Sequence, residues 1–270
     1  MKTILVHICD DNGMDSRLQV ALDIARAHNA HLTCLQVTTQ FIPMSYGTLG
    51  GDFMTSVNMD ELREMDKVHR VKIEGQLRNE GVSWDWVVDL GDPATCLVER
   101  SALADMIVLS QSVGRDRGPS DPLDIGGDVT INAHCPVLIV PIEQQSFDTT
   151  GPLVIGWNGS GEAARAIRFS LSMLKTSSAV HLVSIADNND ELPSFDASTY
   201  LSRHRIASEL HQITAKDETP SQVLESFAKE HGAAAIVMGA YGHSRLRELL
   251  FGGVTRDLLK KSHIPMLMGH

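Results

Sequence analysis

Ala104-Asp105-Met106-Ile107-Val108-Leu109-Ser110 and Ala233-Ala234-Ala235-Ile236-Val237-Met238-Gly239 are two versions of one short apolar run. The same ungapped register carries Cys135-Pro136-Val137-Leu138-Ile139-Val140 onto Ile264-Pro265-Met266-Leu267-Met268. A third pair, Ile4-Leu5-Val6-His7-Ile8 and Leu153-Val154-Ile155-Gly156-Trp157, opens the two halves. Each opening run leads into a polar, glycine-containing turn and then into apolar residues at helical spacing. These are Leu18, Leu22, Ile24 and Ala25 in the first half, and Ala163, Ala166, Ile167, Leu171 and Leu174 in the second. Self-similarity of this kind marks a repeated folding unit.

Within each half the pattern reads strand and helix in alternation, ending on a fifth strand. The strands are expected near 3–9, 31–37, 84–89, 105–110 and 136–141, then near 152–158, 179–185, 206–213, 234–239 and 265–268. Alternation implies right-handed βαβ units and a parallel sheet. Near-continuous Val/Ile/Leu runs suit strands buried on both faces. The expected fold class is α/β: two tandem five-stranded parallel sheets of order 3-2-1-4-5, each with helices on both faces. The units are placed at 1–143 and 151–270, with the polar stretch Glu143 to Gly151 as linker. The first half carries about 20 extra residues between its second and third strands. They include Phe41 to Phe53 and a charged helix from about Met59 to Asn79, with an apolar stripe of Leu62, Met65, Val68, Ile73 and Leu77. The last strand of each half should lie at a sheet edge, which is an aggregation hazard unless paired or covered.

The chain has 270 residues, with 43% hydrophobic and 21% charged, enough for packed cores. A net charge of −11 argues against a nucleic-acid backbone as main partner, because phosphate neutralisation needs a basic face. It leaves room for a small phosphorylated ligand. No apolar run is long enough to span a bilayer. Met1 to Cys9 turns polar too soon for a signal peptide, so a cytoplasmic location is expected. Cys9, Cys34, Cys96 and Cys135 form no CxxC pair and read as packing thiols.

The stretch that carries chemistry runs from Met238 and Gly239 through Gly242, His243 and Arg245 to Gly252, Gly253 and Val254. It begins where a buried strand ends. Glycine allows positive φ and close approach of a ligand, and free N–H groups in such a loop can cradle phosphate oxygens. In a sheet of order 3-2-1-4-5, strands one and four are neighbours, and ligands bind outside their carboxyl ends at this switch point. The turn after the second half's first strand is Trp157-Asn158-Gly159-Ser160-Gly161, so two glycine-rich strand exits come side by side. A strand-to-helix turn plus a glycine pair for packing is the plain alternative.

The two-glycine loop, the nine-residue spacer and the second glycine pair resemble the ATP-binding signature of universal stress proteins, Gly-x2-Gly-x9-Gly followed by Ser or Thr. The opening Val154-Ile155-Gly156-Trp157-Asn158-Gly159-Ser160 and the closing His263-Ile264-Pro265-Met266-Leu267-Met268 are also similar to that family, and the likeness covers nearly the whole chain twice. It implies an adenine-nucleotide α-hydrolase-like fold and a stress-response or signalling module that switches conformation or partners on binding ATP or another adenine nucleotide. The implied ligand set is Trp157, Asn158, Gly159, Met238, Gly239, Gly242, His243, Gly252, Gly253 and Val254, with adenine near Trp157, Asn158 and the end of the second strand. It also implies an intrachain mimic of the family's dimer, with the two last strands in contact. Two residues depart from the pattern. Asn158 stands where the family has Asp, and Gly253 stands where it has Ser or Thr. The first half departs further: Ser110, Val113, Leu123 and Asp124 replace Gly239, Gly242, Gly252 and Gly253. A shifted reading recruits Gly114, Gly126 and Gly127 with Arg115 and Arg117. Cys9 and Asp10 sit where the strand-one acid belongs, leaving room for part of a pocket.

Twelve histidines show no HExxH or Cys/His finger spacing and read as surface or core residues, with no metal site expected. Trp84 and Trp86 read as one packed face of a strand. No Walker loop and no catalytic Ser/His/Asp order is present. Nucleotide-free scaffold and slow ATPase therefore stand as alternatives to a nucleotide-binding switch.

Overall fold

The computed structural model describes residues 1–39, 59–111, 125–186, 196–215, 218–240 and 254–270. The first half contributes β1 (Thr3–Ile8), α1 (Met14–His28), β2 (His31–Thr38), α2 (Met59–Leu77), β3 (Trp84–Leu90), α3 (Pro93–Arg100), β4 (Met106–Ser110), α4 (Ile125–Asn132) and β5 (Val137–Val140). The second contributes β6 (Leu153–Gly156), α5 (Gly161–Leu174), β7 (Val180–Ala186), α6 (Asp196–Arg203), β8 (Glu209–Thr214), α7 (Pro220–Glu230), β9 (Ala235–Gly239), α8 (Val254–Lys261) and β10 (Met266–Gly269).

Each half is parallel and ordered 3-2-1-4-5, as the alternation dictates. The last strands join the two five-stranded sheets. β5 and β10 pair antiparallel, with Ile139 opposite Met266, Leu138 opposite Leu267 and Val137 opposite Met268. The ten strands are one sheet, β3-β2-β1-β4-β5-β10-β9-β6-β7-β8. Two apolar edge strands satisfy each other's backbone groups by this pairing, which removes both as exposed templates.

Strand composition follows position. β4, β5 and β10 bury every residue save Ser110, as strands covered on both faces must. The outer strands alternate instead: β3 reads Trp-Asp-Trp-Val-Val-Asp-Leu and β8 reads Glu-Leu-His-Gln-Ile-Thr. Trp84 and Trp86 do face the core from β3, and the Trp86 indole N–H donates to Gln36 at 3.1 Å. Alternate residues at the seam feed the two core layers. Leu138, Val140 and Leu267 enter one; Val137, Ile139, Met266 and Met268 enter the other. Both layers therefore run through both halves.

Two expectations change in detail. Along α2, Ile73 and Leu77 are fully buried, but Val68 is 72% exposed. Five residues separate Val68 from Ile73, which turns its side chain about 140° away from that face. The side chains of Leu62 and Met65 lie outside the described residues. The linker is also more than a polar spacer: Phe147 is buried in the core, and its N–H donates to Asp23 of α1 at 2.9 Å.

Candidate functional site

β6 ends at Gly156, and the chain turns through Trp157 to Ser160 into α5. Gly159 has φ +75°, a conformation that favours glycine. Asn158 Oδ1 accepts the Ser160 N–H at 3.1 Å, and Ser160 Oγ accepts the Ala163 N–H at 3.1 Å. The first bond fixes the turn and the second caps α5. A carboxamide serves this turn as well as a carboxylate, which accounts locally for Asn158. β9 reaches the same place from the side. A Cβ on Gly239 would lie 2.4 Å from the Ala163 nitrogen, so glycine here lets α5 pack against the strand end.

Between these strand exits lies a cavity of about 340 Å³. Trp157, Asn158, Met238, Gly239 and Val254 line it, and Gly159 lies in the adjoining turn. Gly242, His243, Gly252 and Gly253 lie outside the described residues. The structure adds lining groups that the glycine spacing could not name. Val183 and Ile185 from β7 and Leu224 from α7 form apolar wall, while Ser160, Glu162 and Thr255 supply polar groups. Alternation along β7 was the available signal for Val183 and Ile185. Glu162 is 6% exposed in the first turn of α5, and it is the only charged side chain among the described lining residues. A carboxylate suits the positive end of a helix dipole. It opposes a phosphate in the same space.

The equivalent place in the first half is built differently. Ile4 pairs with Met106 as Leu153 pairs with Ala235. Carried forward without a gap, that alignment sets Cys9 against Asn158, Gly13 against Glu162 and Arg17 against Ala166. Arg17 is 1% exposed and fills the crevice. Its guanidinium donates to the His7 carbonyl at 2.6 Å, to Ser110 Oγ at 2.5 Å, to Asp11 at 3.2 Å and to the Cys9 sulfur at 3.3 Å. Ser110 Oγ donates in turn to the Gly13 carbonyl at 2.8 Å. Cys9 and Asp11 thus serve an internal network rather than an open pocket. Among the described residues Asp11, not Asp10, bonds to Arg17 and Cys9. Burial, with the Arg17 charge beside it, pushes the His7 pKa down to about 4. Burial pushes the Cys9 thiol up to about 12. Burial also acts to raise the Asp11 pKa, but the Arg17 charge and hydrogen bonds from Cys9, Arg17 and Gly13 bring it below the ordinary carboxylate value. Of the shifted set, Gly126 and Gly127 are buried within α4, whereas Gly114, Arg115 and Arg117 lie outside the described residues.

The universal stress protein family model matches residues 1–141 and again residues 150–270. The chain belongs to the universal stress protein family. It does so twice over, as a tandem pair. Universal stress protein Slr1230 of Synechocystis is 24% identical over 137 residues, 49% of this chain and 46% of its own length. The match thus spans less than half of that curated relative. A universal stress protein structure from Archaeoglobus fulgidus covers 99% of this chain and 95% of its own, with TM-score 0.72 at 16% identity. A Pseudomonas aeruginosa protein of unknown function, PA1789, covers 99% and 92%, with TM-score 0.64 at 16% identity. At those identities the likeness is one of fold. Among the described residues no helix is long and apolar enough to cross a membrane.

Proposed function

We propose that this tandem universal stress protein is a cytoplasmic stress-response or signalling module that binds one adenine nucleotide in its second half. The units are 1–143 and 151–270, and the β5–β10 pair stands in for a dimer contact within one chain. The observation that carries the reading is the contrast between crevices. The second half keeps an open cavity of about 340 Å³ at the exits of β6 and β9, while Arg17 fills the first. That volume falls within the range of small-ligand sites, which combine apolar walls with a few polar groups. Adenine is assigned to the Trp157, Val183 and Ile185 end, and the phosphates to the loop that follows Gly239. Glu162 favours a second reading, in which the ligand is a less charged adenine compound than ATP.

Calorimetric titration of the full chain with ATP, AMP and adenosine tests this reading. One equivalent of at least one of these is expected to bind. Two equal sites, or none for all three ligands, would overturn it.

A further inference from the structure

His181 on β7 pairs in register with Glu209 on β8, and His211 follows two residues along β8 on the same side as Glu209. The side chains converge. His181 Nδ1 is 3.1 Å from His211 Nε2 and 3.6 Å from Glu209 Oε2, and His211 Nε2 is 3.8 Å from that oxygen. These three donor atoms lie mutually within 4.8 Å. Ligand atoms about 2.0–2.1 Å from a tetrahedral zinc ion stand about 3.3–3.4 Å from one another. Shifts of a few tenths of an ångström would therefore let one ion meet all three.

We infer that His181, Glu209 and His211 form a binding site for a divalent transition-metal ion of the zinc class, with an open fourth position. The site lies at the start of β7 and β8, away from the cavity at the strand exits, and does not depend on the nucleotide reading. Two imidazoles and one carboxylate suit zinc, nickel or copper better than calcium or magnesium. Metal on His181 Nδ1 and His211 Nε2 leaves each ring one N–H, which fixes both tautomers.

The surroundings support the assignment. The His181 side chain is 9% exposed and that of His211 26%, whereas Glu209 at 73% faces solvent and can close over an ion. Phe227 and His231 wall the site from the C-terminal end of α7, whose dipole favours positive charge. His231 stacks on Phe227 at 3.9 Å and its Nδ1 bonds the Phe227 carbonyl at 2.9 Å, which holds this wall in place. An ion here would tie the edge strand β8 to β7.

The full chain, stripped with a chelator, is titrated with Zn²⁺ by calorimetry and with Co²⁺ by visible absorption. One tight equivalent is expected. Co²⁺ should show ligand-field bands of nitrogen and oxygen donors without thiolate charge transfer, which separates this site from the four free cysteines. Glu209→Gln removes only an exposed ligand and should weaken binding about tenfold or more, equivalent to about 1.4 kcal/mol. His211→Gln should abolish it, and His204→Gln should leave it intact. Absence of wild-type binding, a thiolate signature, or equal affinity in folded Glu209→Gln and His211→Gln would overturn the assignment.

Discussion

The same strand exit is built differently in the two halves: a buried arginine crosses it in the first, and a cavity lies at it in the second. In the first, Gly13 on the helix side makes room for Ser110 on the strand; a Cβ on Gly13 would meet Ser110 Oγ at 2.3 Å. In the second the sizes are exchanged, with Glu162 on the helix side and Gly239 on the strand. Arg17 fills the first crevice where the second has Ala166. In this chain the two strand exits thus differ at the contact between a helix start and a strand end, and at Arg17 against Ala166. Glycine at the end of strand four is read too simply as a phosphate cradle, because Gly239 also answers to α5.

The largest effect should come from removing the plug. Arg17→Ala strips hydrogen bonds from His7, Ser110, Asp11 and Cys9 together and leaves a void. Loss of one member of a buried ionic network costs about 3 kcal/mol or more. Urea unfolding should show that loss, while Arg17→Met, which refills the volume without charge, should recover part of it. If Arg17→Ala is as stable as the parent, the first crevice is not held shut by this network.

Acid should act on the first crevice through His7. His7 is buried with a folded pKa of about 4, against 6.5 in the unfolded chain. Between these values the unfolded chain holds a proton that the folded chain lacks, so stability falls as pH drops from 6.5 toward 4. The full loss is about 3 kcal/mol. The register partner of His7 in the second half is Gly156, which cannot titrate. His7→Gln should flatten this limb of the stability–pH curve in denaturant titrations. Asp11, whose folded pKa is depressed, contributes stability that is lost only below its ordinary range, so the two windows separate. An unchanged limb would place acid sensitivity elsewhere.

The exchange of sizes can be tested by making it symmetrical. Gly239→Ser drives a Cβ into the backbone of α5, where only main-chain movement relieves the contact, at a cost of about 2 kcal/mol. Glu162→Gly in the same chain gives the second half the first half's pairing and should return about 1 kcal/mol through coupling between neighbours. A double-mutant cycle on thermal unfolding checks this. Strict additivity would mean that the two positions do not share one contact.

Strand order and most strand limits were legible because buried strands are continuous apolar runs and the repeat states them twice; the outer strand β8 begins at Glu209 rather than near 206. The contact between the two last strands came from the family resemblance alone, since Val137–Val140 and Met266–Gly269 look the same whether an edge is paired or covered. Gly239 stands out by glycine spacing and Asn158 by the family resemblance, whereas a glutamate in a first helical turn, such as Glu162, is ordinary. Arg17 was invisible for a related reason: an arginine on a helix reads as solvent-facing, and only the fold shows it turned inward. The histidines of the β7–β8 edge are 30 residues apart in sequence, and no local spacing announces them.

The smallest expected effect bears most directly on function. Glu162 is the charge that an incoming phosphate would meet in the open crevice. At an effective dielectric near 20, two like charges about 8–16 Å apart repel by about 1–2 kcal/mol. Glu162→Gln keeps the shape and the hydrogen-bonding reach of the side chain while removing that repulsion. ATP affinity should rise about fivefold to tenfold, AMP affinity less, and adenosine affinity hardly at all, as measured by calorimetry at low and at moderate salt. The gain for ATP should shrink as salt rises, because the cavity is open and its charges are partly screened. Equal gains for adenosine and ATP would show that Glu162 acts through shape rather than charge. A loss of ATP affinity would mean that the carboxylate holds the ligand, through a cation or the ribose, and the assignment of the phosphates to this end would have to be reversed.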